Sequence, residues 1–401
     1  MRIHKIKKQI SNKKAILSAT VDSYTFSEPQ NIFFCFPAKY MDYLPETADP
    51  FFPAVLIPAM INGEDLEIQA PLSPQLLENQ NVIQDIFTTW HPDKFSRVKI
   101  TSQALKKPLK KVFNKNATFF SLGVDSMYSM LKHLPQNGIS EENKITSLIY
   151  MKGLELPLSI YSNNQNFKLI LEIKRFAKHY NLEAITGETN LRDVFPLDWE
   201  DYYFGPGLAA TALSLSNGFD KIYIPSSHSY AVFFHDPSSP LLDHLWSNEN
   251  TRIIHDGAEK ERAQKISDLI IDDTYALNNL RVCVDNDGGI HNCGKCSKCI
   301  RTMVTLEILG LLKKSEIFPQ KLPEDFTKQL HTFIPDSLEF TKENLKLARK
   351  YGRKDIEKIL EREVRLGNLE ILRRNKSVGF IFRETVYYYY IKFLKKLGLL
   401  T

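Results

Sequence analysis

Residues 117–131, ATFFSLGVDSMYSML, constrain the fold of this chain more than any other stretch. The apolar run Ala117-Thr118-Phe119-Phe120 reads as a buried parallel strand. Ser121-Leu122-Gly123-Val124-Asp125-Ser126 follows. The pattern then switches to helical spacing, with Met127, Met130, Leu131 and Leu134 on one face. A strand that turns through Ser, Gly, Asp and Ser into a helix forms an anion cradle. Gly123 lets the backbone come close to a ligand, the amides at the helix start point outward, and the hydroxyls add donors. The Gly-Lys-Ser/Thr ending of a Walker A loop is missing. The same residues would also serve as an ordinary strand-to-helix turn capped by Asp or Ser.

The regions around this stretch differ in rhythm. Residues 1–105 read as a separate α+β domain. Strands are predicted at Ala15–Val21 and Ile32–Phe36, a hairpin of Val55–Met60 and Leu66–Ala70 about Asn62-Gly63, a helix at Pro74–Thr89 and a strand at Phe95–Ile100. Lys106–Lys115 reads as a linker. From 115 to 312, strand and helix alternate, with further strands at Ile145–Tyr150, Glu183–Thr186, Lys221–Ile224 and Arg252–Ile254. Asn166–Tyr180 is an amphipathic helix, and Gly205-Pro206-Gly207 opens another. This alternation predicts right-handed crossovers and a parallel, Rossmann-like α/β sheet, with ligands at the carboxyl ends of the strands. Ser121, Thr189, Ser226 and His255 each follow or end a strand and are expected to share one pocket. Residues 318–401 read as helical, with segments at Phe340–Tyr351, Lys354–Leu366 and Gly379–Leu397. Arg383, Glu384 and Lys392 interrupt the last of these, so a helical cap is expected rather than a membrane span. A partner-binding or membrane-surface helix is the other reading of that segment.

Composition narrows the class. The 401 residues are 43% hydrophobic and 25% charged, ordinary material for a large core in two or three domains. A net charge of +5 leaves no strong nucleic-acid footprint. The basic start, MRIHKIKKQISNKKAIL, lacks the apolar core of a signal peptide, so a cytoplasmic enzyme is expected. Of five cysteines, Cys283, Cys293, Cys296 and Cys299 fall within seventeen residues. Two overlapping Cys-x2-Cys units with an upstream Cys suffice for a tetrahedral thiolate site, which zinc would fill with no open position. Such a metal would staple the last predicted strand, LRVCV, to the helix beginning near Cys299. An iron–sulfur cluster accepts the same four thiolates, and a disulfide pair accepts two of them. Cys35, inside IFFCF, reads as a buried core thiol.

The order Ser-x-Gly-x-Asp-Ser resembles the PP-loop of ATP pyrophosphatases, with Leu122 where the usual loop has Gly. The Cys-x9-Cys-x2-Cys-x2-Cys run begins about 160 residues further on and continues into NCGKCSKCIRT. Together these features resemble 7-cyano-7-deazaguanine synthase and its relatives across about residues 115–312. The flanking regions lie outside the resemblance, and SSHSYAVFFHD and IIHDGAEKER match no substrate residues there. A divergent member acting on a different substrate is the expectation. The resemblance implies that ATP activates a carboxylate or amide oxygen, pyrophosphate leaves, and a nitrogen nucleophile displaces AMP. Ser121, Leu122, Gly123, Val124, Asp125 and Ser126 would receive the phosphates, with Asp125 orienting the loop or helping to hold Mg2+. Lys152, Arg192 and Arg301 are candidate cations for phosphate or substrate. Asp125, Ser126, Lys152 and His255 are the candidate catalytic residues, and His228 is a further acid–base candidate. By the resemblance, the four cysteines hold zinc, with His291 inside their loop. The implied partner is a small acid or nucleobase-like substrate, and the chain is compatible with a homodimer. The alternatives are a catalytically silent ATP-binding module and a sulfurtransferase acting on tRNA, for which Cys35 is the spare thiol.

Overall fold

The computed structural model describes residues 1–107, 115–160, 163–283, 285 and 292–375. Residues 108–114 of the expected linker, His291 and the expected helix Gly379–Leu397 lie outside them. Contacts divide the chain into two compact units. The first is Met1–Cys293 with Ser315–Phe318, and the second is Gly294–Lys314 with Pro319 onward.

Among the described residues the first unit holds ten strands: β1 (Arg2–Ser11), β2 (Lys14–Asp22), β3 (Gln30–Pro37), β4 (Leu66–Leu72), β5 (Ile100–Leu105), β6 (Asn116–Phe119), β7 (Ser147–Lys152), β8 (Glu183–Thr189), β9 (Lys221–Pro225) and β10 (Arg252–Asp256). Its helices are α1 (Phe51–Asn62), α2 (Pro74–Trp90), α3 (Val124–Lys132), α4 (Asn163–His179), α5 (Leu191–Val194), α6 (Phe204–Ser214), α7 (Arg262–Asp268) and α8 (Thr274–Leu277). All ten strands form one sheet in the order β10-β9-β6-β7-β8-β3-β2-β1-β4-β5. The five strands from β10 to β8 run parallel. β3, β2 and β1 join antiparallel, and β4 and β5 return to parallel pairing. The protein is therefore α/β with a large, mostly parallel sheet.

The parallel half follows from its residues. All four positions of β6 and the first five of β7 are buried, as expected of strands covered on both faces. α4 buries Leu169, Ile173, Phe176 and Ala177 at helical spacing. A single seam continues the sheet into the amino-terminal strands, where Phe34 pairs with Thr189 and Cys35 with Glu188.

Three predicted elements differ. Val55–Met60 is not a hairpin strand but the centre of α1, which is buried from Phe51 through Met60. A continuous apolar run carries no periodicity to separate a buried strand from a buried helix. Gly63 is the helix stop: it takes φ 67°, and its amide bonds the Ala59 carbonyl. Phe95–Ile100 is a connecting segment, with β5 starting only at Ile100, and no strand forms over Leu280–Cys283. β1, embedded in the basic start, has no predicted counterpart; it is mostly exposed and pairs with β2 through Ser11 and Lys14.

The second unit contains α9 (Ser297–Ile308), α10 (Pro335–Lys350) and α11 (Lys354–Asn375). Thr305 donates to Asn344 at 2.8 Å, and Arg353 pairs with Glu307 at 3.1 Å. α10 and α11 cover the predicted segments Phe340–Tyr351 and Lys354–Leu366 to within a residue or are longer.

Candidate functional site

β6 lies between β7 and β9. The chain leaves β6 towards β7 and β8 and then crosses to β9 and β10 on its other side. This makes β6/β9 the switch point, where open parallel sheets bind ligands beyond the strand ends. The turn after β6 is Ser121–Gly123, and the turn after β9 is Ser226–Ser229.

Leu122 makes the tight turn that the usual loop assigns to glycine. Its φ is 65°, and its carbonyl accepts the Arg281 amide at 2.8 Å. A left-handed leucine costs roughly 1–2 kcal/mol, which burial of its side chain offsets, since Leu122 is 3% exposed. Leu122→Ala should therefore destabilise more than Leu122→Gly, by about 1 kcal/mol, because both lose the burial and only alanine keeps the strain. Urea unfolding of the two variants checks this, and equal midpoints would contradict it.

Gly123 is the N-cap of α3, and Val124, its first residue, is wholly buried. The Ser126 hydroxyl donates to the Gly123 carbonyl at 3.0 Å and accepts the Ser121 amide at 3.3 Å. Ser126 thus closes the turn on itself and holds its amides at the helix start. Asp125, in the first turn of α3, forms ion pairs with Arg262 and Lys265, the latter at 3.0 Å. The wholly buried Lys265 ammonium also donates to the Ser226 carbonyl. One cation therefore ties the turn after β6 to the turn after β9. Glu261 and Gln264 form a capping box that fixes the start of α7, from which Arg262 and Lys265 project three residues apart. Arg281, 7% exposed, lies against the same turn through its backbone and pairs with Glu155 at 3.4 Å.

Beneath this turn, the buried Asp256 carboxylate accepts from His133 at 3.1 Å, Lys132 at 2.9 Å and the Ser129 hydroxyl. Burial pushes this carboxyl up, but His133, Lys132 and Ser129 outweigh it and hold it down at about 2. Because the folded value lies below the ordinary one of 3.8, the network stabilises the fold above that range and is lost as pH falls towards 2. Asp256→Asn should cost about 3 kcal/mol at neutral pH. The gap to the wild type in urea unfolding should close as pH falls through this window; a gap that does not depend on pH would contradict the assignment.

The other candidates distribute as follows. Lys152 ends β7 and is half-buried. Arg192 in α5 donates to the Leu154 carbonyl at 3.1 Å and lies 4.9 Å over the Trp199 ring, anchoring the segment after β7. His255 is the penultimate residue of β10, before Asp256, and its Nδ1 lies 2.8 Å from Asp243. The His228 carbonyl accepts the Ser226 hydroxyl. Thr189, in contrast, donates to the Phe33 carbonyl at 2.7 Å in the seam to β3. It belongs to the sheet and not to the pocket expected from its position after a strand. Arg301 belongs to the second unit, with its guanidinium 3.9 Å over the Phe340 ring. A cavity of about 520 Å³ lined by Arg2, Asp22, Glu64 and Lys99 lies at the β1-β4-β5 end of the sheet and contains none of the candidate residues.

The Sγ atoms of Cys283, Cys293, Cys296 and Cys299 lie within 4.8 Å of one another, and three of these residues are buried. Tetrahedral zinc bound by thiolates at about 2.3 Å needs sulfurs about 3.8 Å apart. The cluster can thus hold a metal ion such as zinc. No membrane-spanning helix occurs among the described residues. Compared with family models, with curated proteins and with solved structures, the chain matches none.

Arg262, Lys265, Arg281, Asp243 and Asp256 are absent from the candidates named from the sequence. The spacing of Arg262 and Lys265 behind a Glu-x-x-Gln box was a local signal for a shared helical face. Nothing local announces that this face meets Asp125, 137 and 140 residues away.

Proposed function

We propose that this protein is an ATP-dependent, adenylate-forming enzyme of the PP-loop type. It would activate a carboxylate or amide oxygen for attack by a nitrogen nucleophile, as 7-cyano-7-deazaguanine synthase does, on a different substrate. The observation that carries this reading is the Ser121–Ser126 turn at the β6/β9 switch point, closed by Leu122 in the left-handed conformation where the family's loop has glycine.

Pyrophosphate gains negative charge as it leaves. The amides at the start of α3 and the Ser121 and Ser126 hydroxyls would stabilise it where that charge develops. Asp125 orients the loop through Arg262 and Lys265, and those two cations add positive potential beside the phosphates. Mg2+, when bound with ATP, would neutralise phosphate charge. Lys152, at the end of β7, would meet phosphate or substrate, and His255 would serve proton transfer. The four cysteines fit zinc in a structural role, because four thiolates leave no open coordination position.

The test is product identity. Purified protein with ATP, Mg2+, ammonium and a panel of carboxylic acids, including carboxylated purine and deazapurine analogues, should yield AMP and pyrophosphate. ADP and phosphate would show the assignment to be wrong. A silent ATP-binding module is the other outcome, for which calorimetry would find ATP binding with no AMP. Sulfur transfer is disfavoured, because Cys35 is 4% exposed in β3 and burial pushes its thiol up.

A further inference from the structure

His255 and Asp256 are adjacent on β10, so their side chains leave the sheet on opposite faces. Asp256 serves the network with α3. On the other face, His255 meets the single helical turn Asp243–Trp246 and the segment after β9. Its Nδ1 lies 2.8 Å from Asp243 Oδ2, and the Ser238 hydroxyl donates to the same oxygen at 2.9 Å. Asp243 is wholly buried, and among the described residues its Oδ1 has no hydrogen-bond partner. A buried carboxylate costs several kcal/mol unless something compensates it. Here the compensation comes from a histidine at the carboxyl end of a parallel strand, one strand from the switch point.

We propose that Asp243 positions His255 as the proton acceptor for the attacking nitrogen, with Ser238 holding the carboxylate; this rests on the adenylate-forming reading above. The carboxylate fixes the proton on Nδ1, which leaves Nε2 as the basic nitrogen. As the nitrogen–carbon bond forms, one N–H proton passes to Nε2. The carbon–oxygen bond to the adenylate breaks, and its electron pair leaves with AMP. The resulting imidazolium faces the Asp243 charge at 2.8 Å. The other titratable groups around the pair are His244 beside Asp243, and His228 and Asp236 from the segment after β9. Burial pushes Asp236 up to about 6, and its carboxyl senses both His228 and His255. Asp243 and Ser238 are positioning residues, and only His255 touches the reacting atoms.

The experiment uses the full chain with 15N-labelled histidine, together with AMP release from ATP, Mg2+, ammonium and the acid panel across a pH series. In the wild type, imidazole NMR should show His255 in the Nδ1–H form at neutral pH. Asp243→Asn should lose that preference and lower kcat by roughly 10²–10³-fold, leaving KM for ATP within about twofold and flattening the pH profile. Ser238→Ala, a milder change, should shift the profile in the same direction. An Nε2–H tautomer in the wild type overturns the proposal even if Asp243→Asn fails to fold. Unchanged kcat at every pH in a folded Asp243→Asn overturns it as well, with the parent reading intact. Wild-type protein that releases no AMP removes the parent reading and this proposal with it.

Discussion

Asp125→Ala will lower AMP release, the activity proposed above, by at least about 10²–10³-fold, and will lower thermal stability at the same time. The two effects share one cause. Asp125 is the common counter-ion of Arg262 and Lys265, whose side chains are 10% and 0% exposed. Removing the carboxylate leaves two cations enclosed without it, which costs about 3–5 kcal/mol for a buried pair broken on one side. Lys265 would then no longer hold the turn after β6 against the Ser226 carbonyl, and in the proposed reaction the amides at the start of α3 would lose their alignment with pyrophosphate. Asp125→Asn separates the contributions. It keeps the shape and one acceptor oxygen but not the charge, so its melting point should fall less than that of Asp125→Ala while AMP release stays deeply impaired. An Asp125→Ala protein within twofold of the wild-type rate would remove the loop from the mechanism.

Stripping the metal from the cysteine cluster should have the largest effect on stability. Four cysteine sulfurs lie within 4.8 Å of one another, mostly buried, and as thiolates they would repel one another without a cation between them. Structural zinc sites in small peptides bind with apparent free energies of about 10–16 kcal/mol at neutral pH, and that binding energy is also folding energy. X-ray fluorescence should find one zinc per chain. Strong chelators or Cys296→Ser should lower the melting temperature by roughly 10 °C or more, since each kcal/mol is worth about 2–4 °C in a domain of this size class. Added zinc should restore the chelated wild type and not the serine variant. Iron and inorganic sulfide in the purified protein would replace zinc with a cluster, and an unchanged melting temperature after complete metal removal would deny the site a structural role.

Local sequence determined a good part of this protein. The switch at Phe120–Met127 marks a strand, a turn and a helix, because a four-residue apolar run bounded by turn residues is too short for a buried helix and helical spacing begins only after the turn. The strand–helix alternation after residue 115 announces a parallel sheet, since parallel neighbours need a crossover. The Cys-x2-Cys-x2-Cys spacing keeps three sulfurs within reach of one centre, and it was legible without any structure. These signals are short-range, and neighbouring residues alone satisfy them.

The tertiary structure decided what depends on distant partners. Phe51–Met60 became a helix because a wholly apolar run takes its form from whatever encloses it. Thr189 was drawn into the seam with β3 because the amino-terminal strands extend the same sheet. Above all, Asp125 acquired Arg262 and Lys265, Asp256 acquired His133, and His255 acquired Asp243. A charged side chain in sequence carries no mark of its counter-ion. Only the order of the strands brings the turns after β6 and β9 side by side, and only burial there makes each of those charges require a partner.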